Sequence, residues 1–262
     1  MSLTKYTERG QYSPVFYCCK SEDDSITKYQ LYYPKEIEET EKKFPVIVVV
    51  NGIYEPSYQY RHVFEHLASW GFIVIGNYDI DSWKGYSTLA NLKLLLQLNN
   101  TENNIFYQKI DTENIGLLGH SEGGVGAINA ATKYKDSHYF KAIYTASIPS
   151  LLVARFMRWN YDVSLLKIPY CMVQGTEILD SRIISPHYSG RNNYNKTPDE
   201  VCKILARYDK GTHNGMLWEV WEAYTAWFMW HLQKDKNAEK IFVGKDAKIL
   251  SDWNWRDIRK NF

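Results

Sequence analysis

The chain has 262 residues, 45% of them apolar and 23% charged. That length and balance suit a single globular domain over residues 1–262 and exclude disordered, collagenous and coiled-coil classes. Lysine plus arginine number 31 against 30 aspartates and glutamates, a formal charge of +1, which lacks the basic excess that nucleic-acid binding needs. The aromatic share of 15% favours a ring-rich core or groove without naming a ligand. No apolar run reaches the roughly 18 residues of a membrane span, and Met1 to Lys20 lacks the basic-then-apolar pattern of a leader. The four cysteines (Cys18, Cys19, Cys171 and Cys202) are too few to staple a chain this long. These features point to a cytoplasmic protein, with a trimmed leader left open and the oligomeric state unread.

Taken in order, residues 15–19 and 27–33 alternate as two antiparallel strands, and the charged stretch 35–43 is a solvated loop. Residues 44–50 form a continuous β-branched run, the pattern of a parallel strand buried on both faces. It stops at Asn51-Gly52. A helix is predicted over 58–69, ended near Gly71, then a second buried strand over 72–76 and a leucine-faced helix over 87–98. Strands are predicted at 114–119, 142–146 and 170–175, with a helix over 123–134 between the first two. Residues 151–167 connect the last two strands, as an ordinary crossover or a partial cover over a pocket. Helices over 199–208 and 217–233 follow. The alternation predicts an α/β fold with a mostly parallel central sheet, helices on both faces and antiparallel N-terminal strands.

Gly119-His120-Ser121-Glu122-Gly123 is a G-x-S-x-G pentapeptide that follows a predicted strand and opens a predicted helix. That context is a nucleophile elbow, with glycines where the turn is tightest. The helix start behind it, with its free amides and positive dipole end, favours a developing oxyanion at Ser121. A serine hydroxyl needs a base, and the order on this fold is serine, acid, histidine. Of the later histidines, His138 precedes the last predicted strands, His187 crowds the candidate acid loop and His231 lies inside the final helix. His213, in the glycine-bracketed loop 210–215, is the expected base. The loop after residue 175 offers Asp180 as the acid, with Glu177 as the alternative. The oxyanion donors are expected to be the backbone amides of Glu122 and, in the loop after residue 50, Ile53. Tyr54 is a candidate for the pocket flank.

His62-Val63-Phe64-Glu65-His66 matches the H-x-x-E-H pattern of inverted zinc peptidases, and i, i+4 histidines share a helix face. No third ligand is evident, and no phosphate-binding glycine loop is present. The expected chemistry therefore needs no metal and no organic cofactor.

Together, Asn51-Gly52, the pentapeptide, the stretch from Gln174 to Asp180 and Gly211-Thr212-His213 resemble the α/β-hydrolase superfamily. Within it, the chain is similar to dienelactone-hydrolase-like and cutinase-type polyester-hydrolase serine esterases. The stretches from Phe64 to Ile75 and from Ala226 to Asp235 are similar to the corresponding helix-to-strand and closing-helix passages. The likeness covers residues 10–245. It implies a triad of Ser121, Asp180 and His213, with Ile53 and Glu122 as oxyanion donors. Two departures stand out. The Gly175-to-Asp180 spacing is one residue longer than the family pattern, which keeps Glu177 open. Dienelactone hydrolases carry a cysteine where this elbow has Ser121. The implied activity is cleavage of a small-molecule carboxylic ester through an acyl-enzyme. An amidase or peptidase using the same triad, or a non-catalytic binding module, are the alternatives.

Overall fold

The computed structural model describes residues 3–23 and 25–262. Met1 and Ser2, where the leader reading begins, and Asp24 lie outside the described residues. Strands β1 (Pro14–Lys20), β2 (Lys28–Pro34) and β3 (Phe44–Val50) come first. There follow α1 (Arg61–Ser69), β4 (Ile73–Asn77), α2 (Tyr86–Asn100), β5 (Ile110–His120), α3 (Glu122–Lys133) and β6 (Phe140–Ala146). Next come α4 (Leu151–Phe156), β7 (Tyr170–Gly175), α5 (His187–Lys196) and β8 (Lys203–Tyr208). Helices α6 (Met216–Glu219), α7 (Trp221–Gln233), α8 (Lys236–Phe242) and α9 (Lys248–Ser251) lead to β9 (Trp255–Lys260).

Among the described residues these strands form one sheet in the order β1-β2-β4-β3-β5-β6-β7-β8-β9. Strands β3 to β8 run parallel, while β1, β2 and β9 pair antiparallel at the edges. All seven residues of β3 are buried, as its unbroken β-branched run predicts. Their alternation divides the core between the two sheet faces. Ile47 and Val49 pack with Phe64 and Leu67 of α1 and Trp227 and Phe228 of α7. Val46, Val48 and Val50 pack with Leu92 and Leu95 of α2 and Val125 and Ile128 of α3. From β3 the chain moves to β4 on one side and later to β5 on the other. Such a reversal opens a crevice at the carboxyl ends of the two strands, the usual ligand position in open α/β sheets.

Two expectations need correction. The helix predicted over 199–208 is instead β8, and the helix before it is α5. Lys203-Ile204-Leu205-Ala206-Arg207-Tyr208 has good helix formers, but Lys203 to Ala206 are all buried between β7 and β9, and tertiary placement overrides propensity. The burial of Lys203 is compensated by its Nζ donating to Thr197 O at 2.5 Å and pairing with Asp199 at 2.8 Å. The helix predicted over 217–233 breaks at Val220 into α6 and α7. The C-terminal stretch from Lys245, given no element by the sequence, supplies α9 and the edge strand β9. All four cysteines are free thiols. No helix among the described residues is long and apolar enough to cross a membrane.

Candidate active site

Four loops leave the carboxyl ends of β3, β5, β7 and β8 and converge on one rim of the sheet. The β5–α3 turn holds Ser121 at φ +53°, ψ −123°, a backbone region that costs a side-chain-bearing residue on the order of 1–3 kcal/mol. The strain is held by neighbours: Ser121 N–H donates to Ala146 O on β6 at 2.9 Å. Close packing explains the flanking glycine. A β-carbon at Gly123 would stand 2.0 Å from the carbonyl oxygen of Val50.

His213 Nε2 lies 3.0 Å from Ser121 Oγ, and His213 Nδ1 lies 2.9 Å from Asp180 Oδ1. All three residues are buried. The other carboxylate oxygen of Asp180 accepts Ser147 Oγ–H at 2.6 Å and Gly175 N–H at 2.5 Å. One carboxylate thus meets three donors, the arrangement that offsets burial of a charge. An Nδ1 that donates to Asp180 leaves Nε2 bare to accept the Ser121 proton. Asp180 sits on a wide π-helical turn, Leu179–Ile184, closed by Ser185 N–H donating to Asp180 O at 2.9 Å. Glu177 is exposed, and its carboxylate has no partner among the described residues. The other downstream histidines lie elsewhere: His138 bonds Lys135 O, His187 faces Asp257, and His231 packs against Trp227.

Ile53 is half-buried at the cavity wall beside Ser121, and its N–H has no partner among the described residues. Glu122 opens α3, so its N–H has no intrahelical carbonyl to meet. The loop carrying Ile53 is fastened on several sides. Asn51 Nδ2 donates to Asn77 O and Asp79 O at 2.7 and 2.9 Å, and Ser82 Oγ donates to Asn51 O at 2.6 Å. Tyr54 N–H donates to Ile80 O, and the Tyr54 side chain is 71% exposed. The wall is formed by its neighbours Ile53 and Glu55 rather than by Tyr54. The Glu122 carboxyl is buried against the next loop and accepts Trp83 N–H at 3.1 Å. Burial pushes it up to about 8; the Trp83 bond opposes this, and Asp81 and Asp79 reinforce it.

The cavity over Ser121 measures about 320 Å³. Pro149, Val153, Met157, Trp159, Leu179 and Ile184 give it apolar walls. The segment 151–167 is both wall and crossover, since Ala154, Tyr161, Val163 and Leu166 pack into the core. The histidine pair of the H-x-x-E-H stretch has other surroundings. His66 is buried, stacked on Trp221, with Nε2 at 2.9 Å from Tyr6 O; exposed His62 meets the edge of Trp218. Among the described residues no group of three His, Cys, Asp or Glu side chains is arranged to hold a metal. Sequence reasoning missed Ser147, Glu55 and Tyr60. Nothing local marks them; they matter only because the sheet brings them to this rim.

A mostly parallel sheet in this strand order, with antiparallel N-terminal strands and the serine in a strand-to-helix elbow, defines an α/β-hydrolase fold. The PET hydrolase-like family matches residues 18–156, more than half of the chain. The chain belongs to that family, polyester hydrolases of the α/β-hydrolase superfamily, and is in general terms a carboxylic ester hydrolase. No curated protein matches it.

Proposed function

We propose that this chain, taken as one hydrolase domain, is a serine esterase working through an acyl-enzyme. His213 takes the proton from Ser121 as Oγ attacks the ester carbonyl. The amides of Ile53 and Glu122 receive the oxyanion, and Asp180 holds the imidazole in the required tautomer. The tetrahedral intermediate collapses as His213 gives its proton to the leaving alkoxide, and the alcohol departs. A water molecule, deprotonated by the same histidine, then attacks the acyl-serine; His213 returns the proton to Ser121 Oγ as the acid leaves. The observation that carries this reading is the continuous chain from Ser121 Oγ through His213 to Asp180, with contacts of 3.0 and 2.9 Å. The apolar cavity suits an aryl or alkyl acyl unit, in keeping with the polyester substrates of the family's description.

A fluorophosphonate probe tests the reading. Wild type should label at Ser121 and cleave aryl and alkyl esters, while Ser121→Ala does neither. A folded wild type that fails to label, or equal labelling of the variant, overturns it. Paired ester and anilide substrates separate an esterase from an amidase: the anilide should turn over far more slowly.

A further inference from the structure

A second polar group lies beside the three residues of the proposed mechanism and is not used by it. Glu55, in the loop after β3, turns back over Gly52. Its Oε2 accepts the Tyr60 hydroxyl and lies 3.3 Å from His120 Nδ1. The Tyr60 oxygen also receives Gly52 N–H at 3.0 Å and stands 3.2 Å from the same His120 nitrogen. The opposite ring nitrogen, His120 Nε2, lies 2.8 Å from the backbone carbonyl of His213. A carbonyl and a carboxylate only accept, so His120 donates from Nε2 to the first and from Nδ1 to Glu55.

These contacts join three of the four segments on which the proposed chemistry depends. Gly52 is next to Ile53, the oxyanion donor; His120 is next to Ser121; the last contact falls on the main chain of His213 itself. His120 and Tyr60 are both buried, so water does not replace a lost bond there and each contact is worth more than at the surface. Burial pushes the Glu55 carboxyl up, but the bond and charge of His120, the Tyr60 hydroxyl and His213 outweigh it and leave it below the ordinary value. Trp218 closes the far side. Its ring stacks on Tyr60 with centroids 6.0 Å apart, and its Nε1 donates to Asn214 O at 3.0 Å, next to the base.

We infer that Glu55, Tyr60 and His120 are positioning residues: a buried bridge that fixes the oxyanion loop and the main chain of His213 to each other around Ser121. The inference rests on Ser121 and His213 being nucleophile and base. A bridge of this kind acts on geometry at the reacting carbonyl, so its loss falls on kcat more than on KM. A displacement of about 1 Å at such a site can cost about a hundredfold in rate.

The test compares His120→Phe, which removes the contacts of both ring nitrogens, with His120→Gln, whose amide N–H can still reach the His213 carbonyl, using p-nitrophenyl butyrate and the fluorophosphonate probe. His120→Phe should lower kcat and the labelling rate by about 10- to 100-fold, with KM within about threefold, and His120→Gln should recover most of the loss. Tyr60→Phe keeps the ring on Trp218 and releases the Gly52 amide, Glu55 and the contact with His120 Nδ1; it should lower kcat with the same KM pattern, and it decides the matter if His120→Phe does not fold. The inference is overturned if the folded variants keep kcat within threefold, if the loss falls on KM alone, or if Gln is no better than Phe. An active wild type with an inactive His213→Ala puts the bridge alone on trial; a wild type that neither labels nor turns over ester overturns both.

Discussion

Replacing Asp180 by asparagine tests the site most sharply, because its carboxylate is bound from two sides. Oδ1 faces His213 Nδ1 at 2.9 Å, while Oδ2 takes Ser147 Oγ–H and Gly175 N–H. An asparagine has one acceptor oxygen, so one side must lose. If the amide NH₂ faces the imidazole, His213 is driven to the tautomer with its proton on Nε2 and cannot accept from Ser121. The corresponding change in a serine protease lowers kcat about 10⁴-fold, equivalent to about 5.5 kcal/mol at 1.36 kcal/mol per decade. If the NH₂ faces the other way, it meets the Gly175 N–H, which cannot turn to accept. That leaves a buried donor unpaired, at about 1–3 kcal/mol of folding stability. Steady-state kinetics with a soluble ester and thermal unfolding, measured together, separate the two. We expect kcat to fall at least a thousandfold with KM little changed, and Tm to fall by a few degrees at most. Glu177→Gln, on an exposed side chain, should leave both within error. An Asp180→Asn enzyme retaining more than a tenth of wild-type kcat, or a Glu177→Gln enzyme that loses it, would refute the reasoning.

Three further outcomes follow. Gly123→Ala should lower Tm and abolish probe labelling, because the added carbon lies 2.0 Å from Val50 O and must displace either α3 or the oxyanion loop; unchanged labelling would count against the close packing. Val153→Trp should fill part of the 320 Å³ cavity, so kcat/KM for hexanoate and benzoate esters should drop at least tenfold more than for acetate, and an equal drop for all would show that Val153 does not bound the acyl site. Stability should peak between about pH 5 and 7. Burial holds His66 down at about 4 and His231 at about 3, so below the unfolded value near 6.5 the unfolded chain binds more protons and stability falls with falling pH. Burial pushes Glu122 up to about 8 and Glu222 to about 7, so the folded chain holds protons that the unfolded chain releases near 4.5, and stability falls as pH rises from there to about 8. Glu222→Gln should flatten that alkaline limb; a wild-type Tm that climbs from pH 6 to 8 would contradict it.

Much of the scaffold was legible in the chain itself. The β-branched run of β3 and the glycine-flanked elbow are local patterns, set by side-chain period and by what a tight turn tolerates. They gave strand burial, the elbow geometry and the α/β alternation directly. Local pattern misled at β8, where Lys203 to Tyr208 reads as a helix and becomes a strand only because β7 and β9 offer it a place. The preference for Asp180 over Glu177 rests on resemblance, not on local pattern. Three residues apart on one loop, they differ only in which side chain the turn Leu179–Ile184 points at His213. The bridge through Glu55, Tyr60 and His120, and the support that Ser147 gives Asp180, had no signal in sequence at all. Periodicity and turn chemistry act over a few residues and are written in the chain. Contacts across 30 to more than 90 positions, such as His120 to His213, exist only once strand order has brought separate loops to a shared rim.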